Sequence, residues 1–226
     1  MLPHFLRAAL RGAGLGLFLL ASSALASPTN PQEGVDYVTL AQPQPVQAAG
    51  KKVEVVEFFM YHCPYCNAME PAFEDWVRKQ GDRIVVRRIH FPYTGPNDLE
   101  ARLYLTLEAL GKVDAMHAKV FKAVHVDRIR LNQQDAIVDW VAQNGIDRAT
   151  FLAAWNSFGV QARLRQLGKL VGDYRVSTAP TLVIDGRYMT SPSLAGAGMR
   201  GGDRNAVFLA TMQVADALVD KAASAR

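Results

Sequence analysis

Cysteine is scarce in this chain. Only Cys63 and Cys66 occur among 226 residues, with two residues between them. A small domain that relies on disulfides closes several long loops with them. Here the one available intrachain bridge would close a four-residue loop, which removes little entropy from the unfolded chain and makes a poor staple. Long hydrophobic runs are also missing. The most apolar stretch, Ala13 to Leu20 ("AGLGLFLL"), is shorter than the roughly 20 residues a spanning helix needs. Charge of one sign is missing too. The 25 Lys and Arg face 21 Asp and Glu, and without Arg7 and Arg11 of the first 26 residues the balance is 23 to 21, a formal charge of +2. Such a chain carries no electrostatic footprint for nucleic acid. No internal repeat is visible, which excludes a solenoid.

The first 26 residues contain no acidic side chain. His4, Arg7 and Arg11 precede the short apolar run, and "SALAS" offers Ala24 and Ala26 at the small-residue positions of an A-x-A site. This is the pattern of a secretory signal cleaved after Ala26. Export makes two neighbouring thiols more pointed, because oxidising compartments permit disulfides.

Residues 27–50 are rich in Pro, Gln and Ala and read as a lead with one short strand, "DYVTL". "KVEVVEFFM" is β-branched and aromatic, as a buried strand requires. The stretch "PYCNAMEPAFEDWVRKQG" has a helical period, with Met69, Phe73, Trp76 and Val77 on one face, Gly81 as the stop and a kink expected at Pro71. "DRIVVRRIHF" reads as a second strand. Residues 97–175 carry several helical stripes, one of them Phe151, Leu152, Trp155 and Phe158, with Asn132 as a cap. "TLVIDGRYM" reads as a hairpin around Asp185–Gly186, and Asp203 is placed to cap a last helix. The order is βαβ, a helical block, then ββα: an α/β domain of residues 51–96 and 176–226 that receives a helical insertion. "GAGMRG", residues 196–201, formally fits G-x-G-x-x-G, but too few residues follow it for a βαβ unit, and it reads as a loop.

The pair itself falls at the first strand-to-helix junction. A helix start leaves N–H groups unpaired and carries partial positive charge, and both favour a thiolate. The pKa of Cys63 is therefore expected to fall. Pro64 suits the first helical position. Cys66, one turn inside, is placed to attack a mixed disulfide on Cys63. A metal is the competing use of such thiols. A structural zinc needs four ligands, and of His4, His62, His90, His117 and His125 none has a spacing that completes a site with the cysteines. His62 reads either as a neighbour that tunes Cys63 or as a surface residue.

Three segments, "EFFMYHCPYC" at 57–66, "AAWNSF" at 153–158 and "TAPTLVIDGRY" at 178–188, in this order resemble the DsbA family of periplasmic thiol:disulfide oxidoreductases. The resemblance runs from about Val35 to the last helix. It implies a thioredoxin fold with an inserted helical domain, a Cys63–Cys66 redox disulfide, no cofactor, and a monomer in the periplasm. It also implies that the protein donates this disulfide to reduced unfolded exported proteins and is reoxidised by a DsbB-type, quinone-linked membrane oxidase. Pro180 matches a cis proline beside the redox pair. Ala179 before it would pair its backbone with an extended substrate. Glu57 matches a buried acid that relays a proton to or from Cys66; the alternative is an ordinary exposed strand carboxylate. Tyr65 departs from the pattern, since strong oxidants of the family carry a histidine there, and the departure implies a milder oxidant. A reductase or isomerase, a peptide-binding chaperone that needs no thiols, and a metal carrier remain alternatives at this point.

Overall fold

The structure is a computed structural model that describes residues 30–199 and 203–225. The signal-like segment and its cleavage point lie outside the described residues. A five-stranded sheet, in the order β1-β5-β4-β2-β3, forms the centre. Its strands are β1 (Val38–Thr39), β2 (Val53–Phe59), β3 (Ile84–His90), β4 (Thr181–Ile184) and β5 (Tyr188–Thr190). β2 pairs parallel with β3 and antiparallel with β4, so the strand that leads to the cysteines is central. All seven of its residues are buried, which accounts for its β-branched and aromatic composition.

The pleat of β2 separates two cores. Val53 and Val55 join Phe73 and Trp76 of α1 (Pro64–Gln80) and Phe208, Val214 and Leu218 of α8 (Arg204–Ser224). Val56 and Phe58 face the other way, toward five helices that stand between β3 and β4 in the chain. These are α2 (Leu99–Ala109), α3 (Val113–His125), α4 (Gln134–Gln143), α5 (Arg148–Trp155) and α6 (Phe158–Asp173). The "WNSF" segment knits them together. Buried Trp155 donates to Gln134 Oε1 (3.1 Å), its carbonyl accepts from Arg102 (2.9 Å), and the Arg102 guanidinium lies over its ring.

Several local expectations are corrected. Asn132 is not the α4 cap: Gln133 holds that position, without a side-chain bond. Asp203 holds the N-cap position of α8 but makes no side-chain cap bond. Phe158 does not complete its stripe; it is 82% exposed at the first position of α6, after the cap Ser157. Among the described residues of "GAGMRG", Gly196 ends a one-turn helix, α7 (Pro192–Ala195), that the sequence did not announce. The hairpin stands as read. Asp185 and Gly186 both have positive φ, 53° and 61°, as a two-residue primed turn demands. A Cβ on Gly186 would meet the Gln44 carbonyl oxygen at 2.3 Å.

Candidate redox site

Cys63 is the N-cap of α1, and Pro64 is its first residue. The missing N–H of Pro64 costs the helix nothing there. Both cysteines are free thiols in this structure. Cys63 is 8% exposed and Cys66 1%, so the outer and inner positions expected from the sequence are the ones observed. The backbone N–H of Cys66 donates to Cys63 Sγ at 3.4 Å. The Cys63 pKa is lowered to about 6, first by the Cys66 thiol, which hydrogen-bonds the thiolate, then by backbone N–H groups of Cys66 and Tyr65 and by the charge of His62. Burial opposes them. Cys66 is pushed far up, because its proton is held in the bond to Cys63 and because it is buried. At pH 7 a group with that lowered pKa is about ten parts thiolate to one of thiol, and the two cysteines have opposite characters: one a ready nucleophile and leaving group, the other a protonated reserve.

The Ala179–Pro180 peptide bond is cis. Cys63 Sγ lies 3.5 Å from the Ala179 carbonyl oxygen, which accepts the S–H when the thiol is protonated. Beside this contact opens a cleft of about 480 Å³ whose walls include Tyr65, Ala179, Pro180, Pro192, Val207 and Phe208. Tyr65 is half exposed and meets Phe208 edge-on. Glu57, on the strand that leads to the cysteines, is no exposed carboxylate: it is wholly buried. It sits in register with Arg88 of β3 and accepts from its Nε at 2.9 Å. The same guanidinium bonds Glu74 and, at 3.5 Å, Glu70, both on α1. Burial, then the nearby charge of Glu70, pushes Glu57 up to about 8 against the pull of Arg88. Its charge in turn raises Cys66.

Sequence reasoning missed how the turn ahead of Cys63 is held. Tyr61, fully buried, has three histidine partners. Its N–H donates to His90 Nε2 (3.1 Å), its hydroxyl bonds His117 Nδ1 (3.0 Å), and its carbonyl accepts from His125 Nε2 (2.7 Å). Next in the chain, both the N–H and the ring Nδ1 of His62 bond Glu100 Oε2, at 3.1 and 2.7 Å. The histidines were visible as residues, and their failure to form a metal site was the only signal that they serve something else. Among the described residues no group of three or more His, Cys, Asp or Glu is arranged to hold a metal.

Comparison with known proteins agrees with this geometry. The family model of the DSBA-like thioredoxin domain matches residues 54–198. The thiol:disulfide interchange protein DsbA of Burkholderia cepacia is 38% identical over 179 residues, 79% of this chain and 84% of that protein. That of Azotobacter vinelandii is 35% identical over 95% of both. The crystal structure of Pseudomonas aeruginosa DsbA superposes with a TM-score of 0.71 at 33% identity, over 85% of this chain and 94% of that one. With a thioredoxin fold, a helical block between β3 and β4, and a C-P-Y-C pair at a helix start, the chain belongs to the DsbA-like thioredoxin family of thiol:disulfide oxidoreductases.

Proposed function

We propose that this protein is a periplasmic dithiol oxidase that donates a Cys63–Cys66 disulfide to exported proteins during oxidative folding. A client thiolate attacks Cys63 Sγ. The bond between the two sulfurs breaks, and Cys66 leaves and takes up a proton. A second client thiolate attacks the client sulfur of the mixed disulfide, and Cys63 leaves as a thiolate. Two electrons have then passed from the client dithiol to the pair. The observation that carries the reading is the lowered pKa of Cys63 beside a thiol that keeps its proton, since a stabilised reduced form makes an oxidant. Glu57 is the group that exchanges a proton with Cys66. An extended client segment pairs with the backbone of Ala179 and lays side chains into the cleft of Tyr65, Pro180 and Phe208. Reoxidation falls to a DsbB-type, quinone-linked membrane protein, and the oxidase acts as a monomer after its first 26 residues are removed.

The test is the equilibrium of the mature protein with glutathione buffers, together with disulfide formation in a reduced, unfolded client. A potential of roughly −120 to −150 mV and stoichiometric client oxidation, lost in Cys63→Ala, are expected. A potential of roughly −250 to −270 mV would move the assignment to a reductase. A Cys63→Ala/Cys66→Ala variant that still supports client folding would make the protein a binder.

A further inference from the structure

We propose that Glu100 of α2 and His62 form a carboxylate–imidazolium pair that fixes a positive charge beside Cys63, so that a residue of the helical insertion sets the reactivity of the thiol. The proposal rests on the redox reading of the cysteine pair and names the group that tunes it.

The geometry is that of a built pair. One carboxylate oxygen, Glu100 Oε2, accepts both from the ring and from the backbone of His62, so the ring cannot turn away without losing a bond that also anchors the turn. The Glu100 side chain is 15% exposed and that of His62 39%. Glu100 stands in the first turn of α2, whose N-cap Asp98 is buried and accepts from Ala101 N–H and from Thr94. The carboxylate therefore has a rigid base. The second ring near Glu100, His90, does not compete. Its Nε2 is 3.8 Å from Oε2 and already accepts the Tyr61 N–H, so it is an unprotonated acceptor, and burial holds it down to about 4.

The remaining acidic groups around His62 act in the same direction as Glu100, and burial of the ring opposes them. Asp98 and the Cys63 thiolate act on it alongside Glu100, while the Tyr93 ring packs against it at 5.2 Å. Arg128 and Arg130 line a shallow cleft next to it and oppose protonation at longer range. The hydrogen bond to Glu100 is the largest influence and raises His62 above the ordinary histidine range. In turn, His62 lowers Cys63. The pair supplies, from the position before Cys63, the positive potential that a tyrosine at position 65 does not.

The experiment uses the mature protein and His62→Phe, His62→Lys, Glu100→Gln and His62→Phe/Glu100→Gln. The readouts are the thiolate titration of Cys63, the glutathione equilibrium at about pH 7.5, and the ring NMR titration of His62. A unit charge some angstroms away in a half-exposed site is worth about a three- to tenfold effect. His62→Phe is expected to shift the glutathione equilibrium toward the disulfide form of the protein by that factor, and His62→Lys to restore most of it. Glu100→Gln is expected to bring the His62 titration back toward its ordinary range and to shift the equilibrium in the same direction as His62→Phe, with the double variant no further than the single.

Simple removal of a negative charge would shift the equilibrium the opposite way, so the sign of Glu100→Gln decides. A shift toward the dithiol form, or none in His62→Phe, overturns the proposal. If Glu100→Gln does not fold, by near-ultraviolet circular dichroism, the His62→Phe and His62→Lys pair still decides: no loss, or a loss that Lys does not restore, refutes it. Failure of the redox reading itself is separate, since the wild-type protein would then not equilibrate with glutathione at all.

Discussion

Glu57 gives a sharp test of how burial and charge are balanced under the cysteines. Its carboxyl, wholly buried, holds its proton up to about pH 8 against 4.5 for an unperturbed glutamate. A group whose folded pKa is raised contributes stability that is fully present below its unfolded value and is lost as the pH rises through its folded value. The window is therefore about 4.5 to 8. Between about pH 5 and pH 7.5 the folded protein keeps one proton that the unfolded chain releases, at about 1.4 kcal/mol per pH unit, so roughly 3 kcal/mol is lost. Glu57→Gln keeps an oxygen for Arg88 Nε and cannot ionise. The difference in stability between variant and wild type should then move in favour of the variant by about 3 kcal/mol over this interval. For a protein of this size that is roughly a 6–12 °C change in the difference of melting temperatures. The assay is thermal and urea unfolding of both proteins across the range, with the cysteines kept reduced. Taking the difference cancels the groups that both proteins share. A variant whose deficit instead grows toward pH 7.5 would show that Glu57 is an ionised partner of Arg88, and the argument from burial would fail.

Other consequences follow from single contacts. Cys66→Ala removes the thiol that does most to lower Cys63; its thiolate midpoint, followed by the pH dependence of alkylation, should rise by about one to two units, the worth of a hydrogen bond to a charged group, and an unchanged midpoint would assign the effect to the helix terminus and His62. Asp98→Ala deprives α2 of a buried cap that accepts from Ala101 N and from both Thr94 N and Oγ1. It should cost about 2 kcal/mol in urea unfolding, and less than about 0.5 kcal/mol would contradict the burial of these donors. Gly186→Ala forces a Cβ onto the Gln44 carbonyl in a left-handed backbone; a melting temperature lower by several degrees is expected, from a loss of about 1–3 kcal/mol, and an unchanged one would mean that residues 44–46 yield without cost.

How much of this was legible in the sequence depended on the range of the contact. The position of Cys63 at the N-cap, Pro64 after it and the Gly81 stop follow from local rules and stand in the structure as read. The Asp185–Gly186 turn is likewise local. The unannounced features are long-range. The partners of Tyr61 lie 29, 56 and 64 residues away, and Glu100 is 38 from His62. Glu57 was placed by resemblance, but its pairing with Arg88 depends on the parallel register of β2 and β3, which a strand pattern does not specify. The missed caps are a different case. Asp98, Asp147 and Ser157 all cap helices by side-chain bonds, whereas Asn132, equally suitable in composition, does not, because the chain enters α4 one residue later.

The same contacts bear on why the helical insertion is present at all. The side chains that bond the turn before Cys63, Glu100, His117 and His125, come from α2 and α3, with His90 of β3 beside them. The insertion therefore packs against the sheet and also positions the residues that carry the thiol. The titrations involved are separated. His90 and His117, held by burial to about 4, remain neutral partners of Tyr61 at any pH above that. Cys63 ionises near 6, and His62 is held above the ordinary histidine range by Glu100. Across the interval in which the thiol gains its charge, His90 and His117 therefore stay neutral, and the bond to Glu100 favours the charged form of the neighbouring imidazole. Two of the rings that hold Tyr61 thus keep one protonation state over the pH at which Cys63 must act.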